Sequence, residues 1–377
     1  MTQALPVLIQ GGMGVAVSDW RLALAVSEAG HLGVVSGTAL DTVMIRRLQL
    51  GDDGGHIRRA LAAFPVAEAA ESIVERYFVA GGKQADQRFS RTSMRREKPS
   101  RHLEDLLVAA NFVEVYLAKQ GHGGQVGINY LEKLQAATLP SLYGAMLAGV
   151  DYVLMGAGIP RAIPAVLDRL AKGLPVELKL DVKGAGSDDE FRARFDPAAA
   201  MRGCVPPVTR PAFLAIVSSH VLASMLAGKL ESPVDGFIVE ASSAGGHNAP
   251  PRGKLQLNEA GEPIYGDRDL PDLAAIRQLG LPFWLAGGRA DAEQVRQALE
   301  LGAAGVQVGT AFAYCEESGF DPDVKRRVLE LSRQSKAQVF TDPLASPSGF
   351  PFKVVELEGT LSDADVYEHR TREPCEL

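Results

Sequence analysis

An eight-stranded (β/α)₈ barrel is the fold this sequence of 377 residues predicts, and three observations predict it. Strand-like and helix-like runs alternate along most of the chain, the pattern of parallel strands joined by crossover helices. Three successive strand-like runs late in the chain end in glycine. Gly236 to Glu240 leads into Ala244-Gly245-Gly246-His247, Phe283 to Ala286 into Gly287-Gly288, and Gly305 to Val308 into Gly309-Thr310. Barrels carry their reactive residues in the loops after strand C-termini. The length fits too, because α/β barrels commonly run beyond the average domain as one unit.

Each element follows in order. Val7-Leu8-Ile9-Gln10 reads as the first strand, closed by Gly11-Gly12-Met13-Gly14. The next helix spans about Asp19 to Glu28, with Ser18 or Asp19 as N-cap and Gly30 as its stop. Gly33 to Ser36 is the second strand. Residues 37–125 exceed one helix and a loop and hold helical runs at 42–49, 57–64, 67–77 and 103–119. They read as an elaborated insertion that covers part of the mouth or builds a subunit contact, leaving a homo-oligomer open. Val126 to Asn129 and Asp151 to Met155 are the third and fourth strands, with helices expected at 141–148 and 163–171. Alternating runs at 176–182 and 191–195 around Gly184 to Asp189 predict an inserted antiparallel β-hairpin at 176–195, before strand five. Phe213 to Val217 is that fifth strand, with its helix at 221–227. The three glycine-ended runs complete the eight. Residues 313–377, rich in Pro and Gly around Pro343 to Pro351, read as a C-terminal segment covering the mouth of this single domain.

Composition narrows the function. Apolar residues make up 46% and charged residues 23%, with a net charge of −7, ordinary for a globular enzyme-sized chain. The most basic stretch, Arg88 to Arg101 with Arg91, Arg95, Arg96 and Lys98, has one aromatic, Phe89. A nucleic-acid surface wants a basic domain with interleaved aromatics, so nucleic acid is not an expected partner. Cys204, Cys315 and Cys375 show neither metal spacing nor a disulfide framework, which fits a reducing cytoplasm. No leader-like N-terminus and no membrane-length apolar run stand out. The seven histidines form no metal-ligating cluster, so no metal is expected.

Several residues carry chemistry. Backbone N–H groups at Gly287, Gly288 and Gly309, with the Thr310 hydroxyl, suit a phosphate dianion where barrels hold one. The phosphate could belong to a sugar substrate or to FMN. A flavin is favoured by the Gly12-Met13 end of strand one, because small residues and a polarizable thioether suit a flat ring. His247, after two glycines at a strand end, is placed to move a proton near neutral pH. Arg252 could hold an anionic substrate or simply be solvated. His122 precedes a strand, the wrong end of a barrel for catalysis, and Lys179 falls in the hairpin. Gly156-Ala157-Gly158 and Gly184-Ala185-Gly186 lack the third glycine of a dinucleotide fingerprint.

In their order, Gln10 to Met13, Gly127-Ile128-Asn129, Ala244 to His247, Ala286 to Gly288 and Gly305 to Thr310 resemble the nitronate monooxygenase (2-nitropropane dioxygenase) family. That family of TIM barrels includes flavin-dependent enoyl-thioester reductases and NADH:quinone reductases. The likeness covers residues 5–36 and 125–312 and strengthens after residue 235. It implies FMN as cofactor, with Gly12, Met13, Asn129, Gly245 and Gly246 along the flavin. It implies Gly287, Gly288, Gly309 and Thr310 on the phosphate and His247 as the proton-transfer residue. Ser242-Ser243 departs from relatives that carry Glu before Ala-Gly-Gly-His, which bears on substrate rather than cofactor. The implied activity is oxidation of alkyl nitronates by O₂ to carbonyl compounds and nitrite. An NAD(P)H-driven reductase of enoyl thioesters or quinones is its sibling, and a phosphosugar isomerase or lyase is the reading from another class.

Overall fold

Eight short parallel strands stand in a ring in the computed structural model, which describes residues 4–371 apart from 91, 93–96, 187, 229–230 and 347. In chain order β1 is Leu8–Gln10, β2 Gly33–Ser36, β3 Val126–Leu131 and β4 Tyr152–Gly156. An antiparallel pair, β5 (Val176–Leu180) and β6 (Phe191–Phe195), stands apart from them. The ring resumes with β7 (Ala212–Val217), β8 (Gly236–Glu240), β9 (Phe283–Ala286) and β10 (Gly305–Val308). Neighbours run β1-β10-β9-β8-β7-β4-β3-β2. The seam closes where the Gln10 N–H donates to Leu32 O at 2.9 Å and the Leu32 N–H to Leu8 O at 3.0 Å. Of the positions named at the hairpin turn, in the basic stretch and at the last cysteine, Arg91, Arg95, Arg96, Ser187 and Cys375 lie outside the described residues.

Both faces of the staves are dry, which is why these strands read as apolar runs rather than alternating ones. Inside the ring Ile9, Leu32, Val34, Leu154, Leu214, Ile238 and Trp284 form one cluster. Outside it the alternate residues, such as Val35, Ile128, Phe213 and Phe237, pack under the helices. Trp284 is fully buried, and its Nε1–H donates to Pro6 O at 2.6 Å, satisfying the indole at the closed end.

The helices follow their caps. Asp19 accepts the Arg21 N–H at 2.8 Å and opens the helix Trp20–Glu28, and Gly30, at φ +84°, ends it. The helix expected at 141–148 instead spans Gln135–Leu147 and carries Pro140 inside. Its N-cap, Leu134, gives no side-chain hydrogen bond, so neither start signal nor proline marks its true beginning. Helices Leu40–Gln49, His56–Ala62 and Ala67–Tyr77 pack on Arg101–Ala118, which lies against both Trp20–Glu28 and Gln135–Leu147. That long helix thus occupies the crossover position between β2 and β3.

A buried ion triad ties this helical layer to the barrel. Arg47 reaches Asp19 at 3.0 Å and Glu114 at 2.9 Å, and Glu114 also accepts the Trp20 N–H at 2.8 Å. After the barrel come helices Thr310–Ala313 and Pro322–Arg333. The antiparallel strands β11 (Val339–Asp342) and β12 (Phe352–Val355) and a helix Ala364–His369 follow. Among the described residues no helix is long and apolar enough to cross a membrane.

Candidate active site

The loops leaving the C-terminal ends of β1, β3, β8, β9 and β10 converge, and glycines let them approach. At Gly12 a Cβ would stand 2.5 Å from Asn129 Cβ. The two backbones are joined by the Asn129 Nδ2–H donating to Gly12 O at 3.2 Å. Asn129 Oδ1 is buried with no partner among the described residues, an acceptor left waiting in a place where burial without a hydrogen bond costs about 1–3 kcal/mol. Ser18 anchors this first loop, its hydroxyl accepting the Met13 N–H at 2.8 Å and donating to Gly11 O at 3.0 Å.

Gly245 passes so near Thr310 that a Cβ would sit 2.8 Å from its hydroxyl, and one at Gly309 would lie 3.7 Å from Met13 Sδ. Gly287, at φ +106°, leaves room for Ser243 and the Ala244 amide, which a Cβ would meet at 2.8 and 2.9 Å. A side chain there would be strained as well as crowded. The helix Thr310–Ala313 begins at Gly309 without a side-chain cap, so its first amides remain open to an acceptor. The helix Ala292–Glu300 differs: Asp291 caps it, accepting the Gln294 N–H at 2.9 Å. Its N-terminus is therefore already served by a carboxylate.

His247, on the loop after β8, is half-buried. Its Nε2 pairs with Ser346 Oγ at 2.7 Å, and its ring meets Phe352 edge-on at 4.8 Å. Desolvation holds its pKa below the usual 6.5, so the imidazole is neutral at pH 7 and able to accept a proton. Backbone bonds fasten the same segment to β12 and its approach. The Lys353 N–H donates to Gly246 O at 2.9 Å and the Asn248 N–H to Pro351 O at 2.8 Å. Asn248 is buried and its Oδ1 has no partner among the described residues.

Glu240, at the end of β8, went unremarked in the sequence. Burial alone pushes its carboxyl up to about 7. It lines a small cleft of about 40 Å³ with Ser218, Ser242, Arg252, Tyr265 and Asp269. A charged residue closing an otherwise apolar strand was the available signal. No comparable signal marked Ser346 and Phe352, whose approach to His247 is purely tertiary. Arg252 sits at the exposed side of that cleft, its backbone N–H held by Asp269 Oδ1 at 2.8 Å. His122 is used in structure: Nδ1 accepts the Gly124 N–H at 3.0 Å, and Nε2 lies 2.7 Å from Ala118 O. Lys179 stays in the β5–β6 pair.

One stretch of the chain is similar to known proteins. The family model described as "Nitronate monooxygenase" matches residues 209–344, the stretch from β7 through the loop carrying His247 to β11. Over that stretch the chain is similar to the nitronate monooxygenase family. A probable nitronate monooxygenase of Bacillus subtilis is 41% identical over 102 residues, 27% of this chain and 28% of that protein. The nitronate monooxygenase of Pseudomonas aeruginosa is 42% identical over 88 residues, 22% of each. A Mycobacterium tuberculosis protein named (3aS,4S,5R,7aS)-5-hydroxy-7a-methyl-1-oxo-octahydro-1H-indene-4-carboxyl-CoA dehydrogenase is 29% identical, covering 57% of this chain and 60% of that protein. The matches to the nitronate monooxygenases thus span about a quarter of those relatives' length.

Proposed function

We propose that this chain is an FMN-dependent oxidoreductase that oxidises alkyl nitronates with O₂ to carbonyl compounds and nitrite. The observation that carries the reading is His247, a neutral imidazole that follows the Gly245-Gly246 pair on the loop after β8, inside the segment that matches the family model. The residues present suit FMN. Asn129 offers a buried acceptor without a partner, which fits a ring N–H, and the glycines leave the backbone bare where a flat ring must lie close. Gly12, Met13, Asn129, Gly245 and Gly246 would hold the ring, and Gly287, Gly288, Gly309 and Thr310 the phosphate.

FMN, when bound, takes the substrate's electrons and passes them to O₂. This chain's own residues bind, orient and handle the proton. His247 orients a nitronate, or removes the α-proton of a neutral nitroalkane, a task that needs the unprotonated ring. Ser346 and Phe352 fix the ring's position. With Cys204 and Cys315 both free thiols, a reducing cytoplasm is the compartment that suits the chain.

The test is anaerobic spectroscopy of the purified, FMN-loaded protein. Ethyl nitronate should bleach the flavin absorbance within the mixing time, and admitting O₂ should restore it with release of nitrite. Bleaching by NADH but not by the nitronate would instead establish a reductase of thioesters or quinones. That second reading is favoured by the relative named as a carboxyl-CoA dehydrogenase. A protein that takes up no FMN would end both.

A further inference from the structure

The inner face of the barrel continues to its rim. Ile238 belongs to the inner cluster, and side chains two apart on a strand share a face. Glu240 therefore stands one layer above Ile238, at the open end, in register with Ala286 of β9. On the neighbouring stave Leu214 and Ile216 mark the same inner row, which Ser218 extends, and Ser218 and Glu240 meet in the cleft. Below Glu240 the interior is hydrocarbon; above it lies the mouth with His247.

The groups facing this carboxyl are few. Arg252, Asp269 and Tyr265 line the cleft from the loop after β8. His247 stands farther along that loop, and His220 opens the helix after β7. None of them forms an ion pair or hydrogen bond with Glu240 among the described residues, and burial is what favours its neutral form. A carboxyl raised to about 7 is still partly protonated at neutral pH; in that form it is a hydrogen-bond donor, and a donor at the mouth of a nitronate site faces an anion.

We propose that Glu240 is a substrate-binding residue that keeps its proton and donates it in a hydrogen bond to the oxyanion end of the substrate. The inference rests on the nitronate reading above. Binding an anion to ionised Glu240 then takes one proton from solvent onto the carboxylate, with no other bond made or broken. Affinity for an anion should fall about tenfold per pH unit once the carboxyl ionises. The imidazole of His247 stays neutral across this range and adds no slope.

Two measurements test it on the FMN-loaded protein. Infrared spectra at pH 6 and pH 8.5 should show a protonated carboxyl band that disappears at the higher pH and is missing from Glu240→Gln. Calorimetric titration with nitrite, an anion throughout this range, should show about tenfold weaker binding at pH 8.5 than at pH 7 for the native chain. Glu240→Gln, which keeps a donor but cannot ionise, should lose that pH dependence, and Glu240→Ala should bind weakly at every pH. A pH dependence that persists in Glu240→Gln, or no carboxyl band assignable to Glu240, overturns the proposal. Failure of both nitrite and ethyl nitronate to bind the native chain at pH 6 would instead overturn the nitronate reading, since the infrared band reports on Glu240 without any substrate.

Discussion

Replacing Arg47 by methionine should expose how strongly the helical layer depends on one guanidinium. Arg47 bridges Asp19 and Glu114, whose side chains are each 4% exposed. Methionine fills much of the same volume but leaves two buried carboxyls facing each other. Removing one partner of a buried pair costs about 3–5 kcal/mol. For 377 residues, an unfolding entropy of about 2.1 cal/mol/K per residue gives about 0.8 kcal/mol per degree, so the midpoint should fall by about 4–6 °C. The sign of the pH dependence is a sharper check. Burial already raises the Glu114 pKa above its usual 4.5, with Arg47 opposing the rise. Without Arg47 the folded state binds that proton still more tightly than the unfolded chain does. The variant's deficit should therefore shrink as pH is lowered from 7.5 to 5.5 and grow as it is raised. Thermal unfolding followed by far-UV circular dichroism at the two pH values measures both effects. Glu114→Gln added to Arg47→Met should recover part of the loss. A midpoint within about 1 °C of the native chain, or a deficit that widens on acidification, would refute this account of the triad.

The remaining predictions concern the site and the core. His247→Asn should abolish oxidation of neutral nitroethane while sparing preformed ethyl nitronate; equal loss in kcat/KM for both would reject the base assignment. Because the folded His247 resists protonation below its usual 6.5, the native chain should lose some stability as pH falls through about 6.5. His247→Asn should lack that component in a urea-unfolding series. Gly12→Ala must displace Asn129, whose Cβ would lie 2.5 Å from the new methyl. It should cost about 1–3 kcal/mol by overpacking and weaken FMN binding at least tenfold by fluorescence titration. Trp284→Ala empties the ring interior and should cost about 3–5 kcal/mol, read as a lowered urea midpoint.

The barrel was legible because its staves are buried on both faces, which writes them as short apolar runs ending in glycine. Gly245, Gly287 and Gly309 announced the mouth for the same reason: backbones that must pass within a methyl's breadth tolerate little else. The helix Gln135–Leu147 was misplaced, since an uncapped start at Leu134 and an internal Pro140 send the wrong local signals. Glu240 was legible in principle from the two-residue alternation with Ile238. Ser346 and Phe352 were not, because their meeting with His247 spans about a hundred residues and no local pattern encodes it.

The two strands that brace the imidazole, β11 and β12, come after every stave of the ring. A polypeptide made from its N-terminus can pair β10 with β1 before residues 339–355 exist. The cylinder can thus be finished while the loop carrying His247 is still unbraced, and the brace drops into place last. A ribosome-released chain stopped at residue 338 should still fold into a closed ring, yet with its histidine swinging free.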